Sequence, residues 1–202
     1  MTGDSRVAGL VLAAGAGRRF GRPKAVVEWA GQRLVDRATT VLEEAAVSPV
    51  VVVSGATPLA VAGAEVVHNA AWAEGIGSSL RAGLSWLADS SSADAAVVLL
   101  VDQPGIGPEA VRRLLADGAD RASLVVATYH GRRSHPVLLG RDHWAGVVVS
   151  AVDDVGARAY VAGRADVREV PCADIADDTD LDTPEDVDRA RLRWPDGGRV
   201  PH

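Results

Sequence analysis

Apolar positions along the chain fall into two alternating rhythms. Short β-branched runs at Val7–Leu12, Pro49–Ser54, Glu65–His68 and Ala95–Val101 predict strands. The last of these, "AAVVLLV", is apolar at every position, as expected of a strand covered on both sides in a parallel sheet. Between the strands, Gln32–Ala46, Ser78–Ala88 and Pro108–Asp117 carry helix-period patterning. Strands alternating with helices predict an α/β architecture of three layers.

The second half breaks that alternation. "SLVVATYHGRRSHPVLLG" predicts two strands turned around Gly131, an antiparallel hairpin inserted into a mostly parallel sheet. A helix over Arg141–Ala151 and a short strand at Val167–Val170 follow. In "DTPEDVDRARLR", Thr183 can cap a final helix with Pro184 at its first position, and Glu185 and Asp186 suit its positive end. The expected organisation is a single domain over residues 1–194, with "PDGGRVPH" at 195–202 as an unstructured tail.

Composition narrows the function. The 202 residues are 48% apolar, enough to bury a core. A net charge of −6 argues against a general nucleic-acid grip, which needs a basic surplus. One cysteine, Cys172, excludes an internal disulfide and a cysteine-rich metal site, and is expected to sit beside a core strand. No run is long and apolar enough for a membrane helix, and "MTGDSR" has no secretory character, so a cytoplasmic location without membrane partners is expected.

The unusual residues follow the strands. "LAAGAGRRFGRPK", Leu12–Lys24, comes after the first; Ser54-Gly55 after the second; Asn69 after the third; Asp102-Gln103-Pro104 after the fourth. Ligands of open α/β sheets bind at the carboxyl ends of strands. Gly15, Gly17 and Gly21 let a ligand approach the main chain, successive N–H groups can form an anion site, and four basic side chains surround it. Polyphosphate meets all of these conditions. The loop lacks the Gly-Lys-Ser/Thr of a Walker loop, and Phe20 stands where the dinucleotide fingerprint needs glycine.

This loop resembles the signature L-A-A-G-x-x-x-R-[MF]-G-x-x-K of nucleotidyltransferases that activate phosphorylated small molecules. "NAAWAEGIGSSLRAGL", "VDQP", "HPVLLGR", "DDVGARAY" and "DLDTPED" extend the likeness from Val7 to about Arg191. The ordered set resembles the MobA-like NTP transferases, and within them the molybdenum cofactor cytidylyltransferases. The resemblance implies a Rossmann-like fold in which CTP and Mo-molybdopterin meet. The terminal phosphate of the pterin would attack the α-phosphorus of CTP and release pyrophosphate. Relatives that use GTP tend to begin the loop Leu-Ala-Gly-Gly, whereas this chain has Leu12-Ala13-Ala14-Gly15.

Two polyanions must then be brought together, and an ionised phosphate nucleophile needs no base. Neutralisation and in-line positioning carry such a reaction. The resemblance implies Lys24 and Arg19 as clamps on the triphosphate, with Arg18 and Arg22 left as solvated charges. It makes Asp102 a ligand of Mg²⁺, which takes one or two carboxylates beside phosphate oxygens. Either Asp180 or Asp182 would supply a second ligand. Leu12, Ala13, Ala14, Gly15, Gly17, Gly55, Asn69, Ser78 and Ser79 are the implied nucleotide contacts, while His135 and Arg158 face the acceptor. Gln103 and Pro104 are expected to shape the metal loop, and the tryptophans to pack.

Two positions depart from the pattern: Gly77 replaces a usual Ser, and Asp153 a usual Gly. Two other functions are compatible with the loop. One is NAD(P)H-dependent reduction, since some relatives with this loop are named nicotine blue oxidoreductases. The other is a non-catalytic carrier delivering the cofactor to a molybdenum hydroxylase.

Overall fold

The computed structural model describes residues 6–153 and 155–194; the 195–202 tail lies outside them. The elements are β1 (Val7–Leu12), β2 (Glu28–Trp29), β3 (Gln32–Arg33), α1 (Leu34–Glu44), β4 (Val50–Ser54), β5 (Glu65–His68), α2 (Ile76–Ser90) and β6 (Ala95–Leu100). They continue with α3 (Pro108–Leu115), β7 (Leu124–Tyr129), β8 (Arg132–Gly140), α4 (Arg141–Ser150), α5 (Arg158–Val161), β9 (Arg168–Pro171) and α6 (Pro184–Arg193).

Seven strands form one sheet in the order β5-β4-β1-β6-β8-β7-β9. β8 runs antiparallel to both of its neighbours, and the other pairings are parallel. The three-layer α/β fold with an antiparallel hairpin is therefore as the patterning predicts. Side chains alternate across the sheet with period two. Val11, Val52 and Val97 enter one apolar layer with Leu34, Leu42 and Leu114 from α1 and α3. Leu10, Val51 and Val98 enter the other with Leu80, Leu84 and Leu87 of α2 and Trp144 of α4. Each fully buried Leu or Val contributes about 1.5–3 kcal/mol, so the two layers fix the strand ends that carry the loops.

Close packing aims α2 at the first loop. A Cβ on Gly83 would lie 2.4 Å from Leu10 Cδ1, so the bare glycine lets the helix rest on β1. The helix N-terminus thus arrives beside the end of that strand.

Three local readings are corrected. Gln32 and Arg33 belong to a short hairpin, not to the following helix. Ala30 and Gly31 both take positive φ (49° and 79°), the twin left-handed turn that joins β2 to β3. The next helix begins at Ile76, two residues before Ser78, because Gly75 at φ 102° ends the preceding 3₁₀ turn. A one-turn helix, α5, lies where no element is predicted. At the other end of the chain the expected cap is present: Thr183 accepts from the Asp186 amide while the Asp186 carboxylate accepts from the Thr183 amide.

Candidate active site

The carboxyl ends of β1 and β6 face the segment before α6 across a cleft, and three segments meet there. The first is the glycine loop. Its root is held between strands by Ala13 N–H to the Val53 carbonyl (3.0 Å) and Val101 N–H to the Leu12 carbonyl (3.3 Å). Gly17 has φ 60°, and a Cβ on it would fall 1.9 Å from the Arg22 carbonyl oxygen. Only glycine fits that bend.

The other two segments carry acids and are zipped together. Leu181 N–H donates to the Asp102 carbonyl (2.9 Å), and Asp177 N–H to the Gly105 carbonyl (3.2 Å). Gln103 Nε2 donates to the Asp178 carbonyl (3.1 Å) and to Asp180 Oδ1 (3.0 Å). From α1, Arg37 Nε and Nη2 both donate to the Pro104 carbonyl (2.9 and 2.7 Å), fastening the loop from behind. Arg37 is a supporting residue that sequence reasoning missed, since nothing in its motif context separates it from an ordinary helix arginine.

Lys24 joins the loop to both acidic segments. Its Nζ lies 2.8 Å from Asp102 Oδ2 and 2.6 Å from Asp182 Oδ1. Arg19 Nη1 lies 3.1 Å from the other Asp182 oxygen. Burial opposes the Lys24 charge, but the Asp102 and Asp182 carboxylates outweigh it and hold the ammonium above its usual range. Burial, followed by the Asp102 charge, pushes the Asp180 carboxyl up to about 6.

These groups line a cavity of about 590 Å³ that also takes in Gly15, Gly17 and Ser79. Leu12 and Ala14 line it as well, whereas Ala13 points into the layer on the opposite face, as the strand period requires. Arg18 reaches the cavity wall and Arg22 does not. Trp72 forms part of the wall.

Gly55, Asn69 and Ser78 stand behind that lining. Asn69 Nδ2 donates to Ser78 Oγ (2.8 Å) and Ser79 Oγ (3.2 Å), and Ser78 Oγ lies 2.9 Å from the Ala71 carbonyl and 2.8 Å from the Gly75 carbonyl, either of which can accept its one hydrogen. Their polar atoms support the turn before α2. Gly55 lets Trp72 and Ala14 close over it: a Cβ there would lie 2.5 Å from Trp72 Cβ and 2.8 Å from Ala14 Cβ.

A second cavity, of about 110 Å³, shares Leu12, Ile76 and Leu100 with the first. Its walls are aliphatic, from β6, β8 and α2, and its polar groups include Ser134, His135 and Arg158. The two residues predicted to face the acceptor are therefore brought to one place. Burial, then the Arg158 charge, lowers the His135 imidazole to about 4 and keeps it neutral at physiological pH.

Asp102 Oδ2 and Asp182 Oδ1 converge on a single atom, Lys24 Nζ, so both can address one cation. Hard oxygen donors of this kind match Mg²⁺. Among the described residues, no group of three or more His, Cys, Asp or Glu is arranged to hold a metal ion. A pair of carboxylates completed by phosphate oxygens is the arrangement these residues fit. No described helix is long and apolar enough to cross a membrane.

A mostly parallel sheet of this order, with a glycine and arginine loop after β1 and acids facing it, is a Rossmann-like α/β domain. Residues 9–169 match the model of the MobA-like NTP transferase domain, and the chain belongs to that family. It is 34% identical over 197 residues to the nicotine blue oxidoreductase of Paenarthrobacter nicotinovorans, covering 90% of this chain and 92% of that protein. It is 31% identical over 202 residues to the molybdenum cofactor guanylyltransferase of Rhodobacter capsulatus, covering 93% and 96%. The crystal structure of an Rv0371c homologue from Mycobacterium sp. strain JC1 superposes with a TM-score of 0.75 at 29% identity, over 93% of this chain and 96% of that one.

Proposed function

We propose that the protein transfers CMP from CTP to the terminal phosphate of Mo-molybdopterin, with Mg²⁺ as its metal. The observation that carries this reading is Lys24, whose ammonium joins the glycine loop to Asp102 and Asp182 at one rim of the sheet. An oxygen of the acceptor phosphate forms a bond to the α-phosphorus, and the bond from that phosphorus to the β-phosphate bridge oxygen breaks. Pyrophosphate leaves with the bonding electrons.

The nucleophile is already an anion, so the protein's task is to hold charges together rather than move a proton. Glycine-loop amides and Arg19 receive the triphosphate, and Lys24 neutralises the charge that develops on pyrophosphate. Asp102 and Asp182 would hold Mg²⁺, which when bound supplies further neutralisation of the phosphates. Asp180, tied to Gln103, keeps the second acidic segment in register. Ala14, whose methyl packs against Gly55, stands where relatives that use GTP tend to have glycine, and this supports the pyrimidine. His135 and Arg158 line the adjoining cavity, where the acceptor enters.

Incubation with Mo-molybdopterin, Mg²⁺ and either CTP or GTP tests the reaction. Stoichiometric pyrophosphate and a cytidine dinucleotide product, faster with CTP, are expected; faster turnover with GTP would overturn the base assignment, and no pyrophosphate with either would overturn the reaction.

One observation favours a second reading. The relative at 34% identity is named an oxidoreductase, and the aliphatic cavity beside the phosphate loop could take an apolar ring. Under that reading, the loop would hold NAD(P)H, and its oxidation in the presence of a quinone-like dye would proceed without a metal.

A further inference from the structure

Gly77, on the first turn of α2, is packed against the backbone of another segment. Its N–H donates to the Asp153 carbonyl (2.9 Å). A Cβ built on it would lie 2.7 Å from the Ala151 carbonyl oxygen, 2.8 Å from its carbon and 3.0 Å from the Asp153 carbonyl oxygen. These obstacles are main-chain atoms, which cannot turn aside as a side-chain end can. One helical turn on, the Arg81 guanidinium also donates to the Ala151 carbonyl. Asp153 pays for the approach with a left-handed backbone, φ 46°, uncommon for a residue with a side chain.

The two positions at which the sequence departs from its family pattern are therefore in contact. What they hold matters for the site. Val155 N–H donates to the Val152 carbonyl (3.2 Å) and Arg158 N–H to the Val155 carbonyl (3.1 Å), linking residues 151–153 to α5. Val155, Gly156, Ala157 and Arg158 form one wall of the 110 Å³ cavity, and Ile76 of α2 lines it beside them, its Cγ2 3.4 Å from where a Cβ on Gly156 would lie. Gly77 itself lines neither cavity.

We infer that Gly77 is a specificity-determining residue: by lacking a side chain it lets the 151–153 backbone settle on α2 and draws the Val155–Arg158 wall in to set the width of the acceptor cavity. This rests on the reading that the aliphatic cavity receives the acceptor. Any side chain at position 77 pushes the wall outward by several tenths of an ångström, enough to lose dispersion contacts on one side of a bound ring. The nucleotide end, built by Lys24, Arg19 and the acids, is left in place.

The test compares wild type with Gly77→Ser and Gly77→Ala. CTP affinity, measured calorimetrically with Mg²⁺, is expected to stay within about twofold, while KM for Mo-molybdopterin rises about tenfold with kcat little changed. Arg81→Met, which frees the Ala151 carbonyl without a clash, is expected to raise the acceptor KM in the same direction and guards against a Gly77 variant that fails to fold. Equal losses of CTP and acceptor affinity, or an unchanged acceptor KM in all three variants, would overturn the inference. If wild type does not turn over Mo-molybdopterin, it is the acceptor assignment that fails. Crystals of Gly77→Ala under xenon pressure then decide about Gly77: an outward Val155–Arg158 wall and a larger xenon site support the inference, and an unmoved wall refutes it.

Discussion

Lys24 and Asp102, 78 positions apart, meet at 2.8 Å between Nζ and Oδ2, and Lys24 is only 15% exposed there. The contact ties the loop after β1 to the end of β6. Removing the ammonium leaves Asp102 and Asp182 facing each other without their shared cation. Lys24→Ala and Asp102→Ala are each expected to lower kcat by about 10²-fold or more while retaining a native circular dichroism spectrum, in line with losses of preorganised charge elsewhere. A folded variant with near-normal turnover would remove that residue from the mechanism.

The glycine loop offers a contrast between two neighbours. Gly17→Ala places a Cβ 1.9 Å from the Arg22 carbonyl at a positive φ, whereas a Cβ on Gly15 meets nothing within 4 Å. Thermal unfolding of the free protein should fall by several degrees for Gly17→Ala and stay close to wild type for Gly15→Ala. Equal melting temperatures would show that the loop relaxes around either methyl.

Thr183 caps α6, and the same Asp186 carboxylate that completes the cap also accepts from the Asp182 amide (3.0 Å). Thr183→Ala should cost about 1 kcal/mol, read as a lower urea midpoint with an unchanged slope. It should also weaken binding of CTP with Mg²⁺, because Asp182 loses part of its support. A variant that loses stability but keeps nucleotide affinity would separate the cap from the site.

His135 gives a pH signature. In the folded chain it stays neutral down to about 4, while in the unfolded chain it takes up a proton near its ordinary value of about 6.5. Between those values the unfolded state binds the extra proton, so the His135 contribution to stability falls as pH drops through this window. Compared with His135→Asn, wild type should therefore lose melting temperature from pH 6.5 to 4 and run parallel above 6.5. A constant difference across the whole range would contradict the neutral assignment.

Much of this was legible in the chain. Period-two and helix-period patterning place the sheet, its hairpin and the α6 cap. The loop and Asp102 can be placed together because ligands gather at strand ends, whereas the acids before α6 join them in the sequence only through the family resemblance. Other features depend on contacts that no local pattern records. Ala30 and Gly31 make a hairpin turn inside what reads as the approach to a helix. Asn69 and Ser78 have the chemistry of ligand contacts, yet their hydrogen bonds are made within the turn before α2. Arg37 acts on Pro104 from 67 positions away, and the pairing of Gly77 with Asp153 needs α2 and the end of α4 to be placed first.

A crystal structure of the protein with Mg²⁺ and a non-hydrolysable CTP analogue bears most directly on the central claim. Phosphate oxygens are expected at the Gly15–Gly17 amides and Lys24 Nζ, with Mg²⁺ at Asp102. A triphosphate bound away from that loop, or one at the loop with no metal at Asp102, would contradict it.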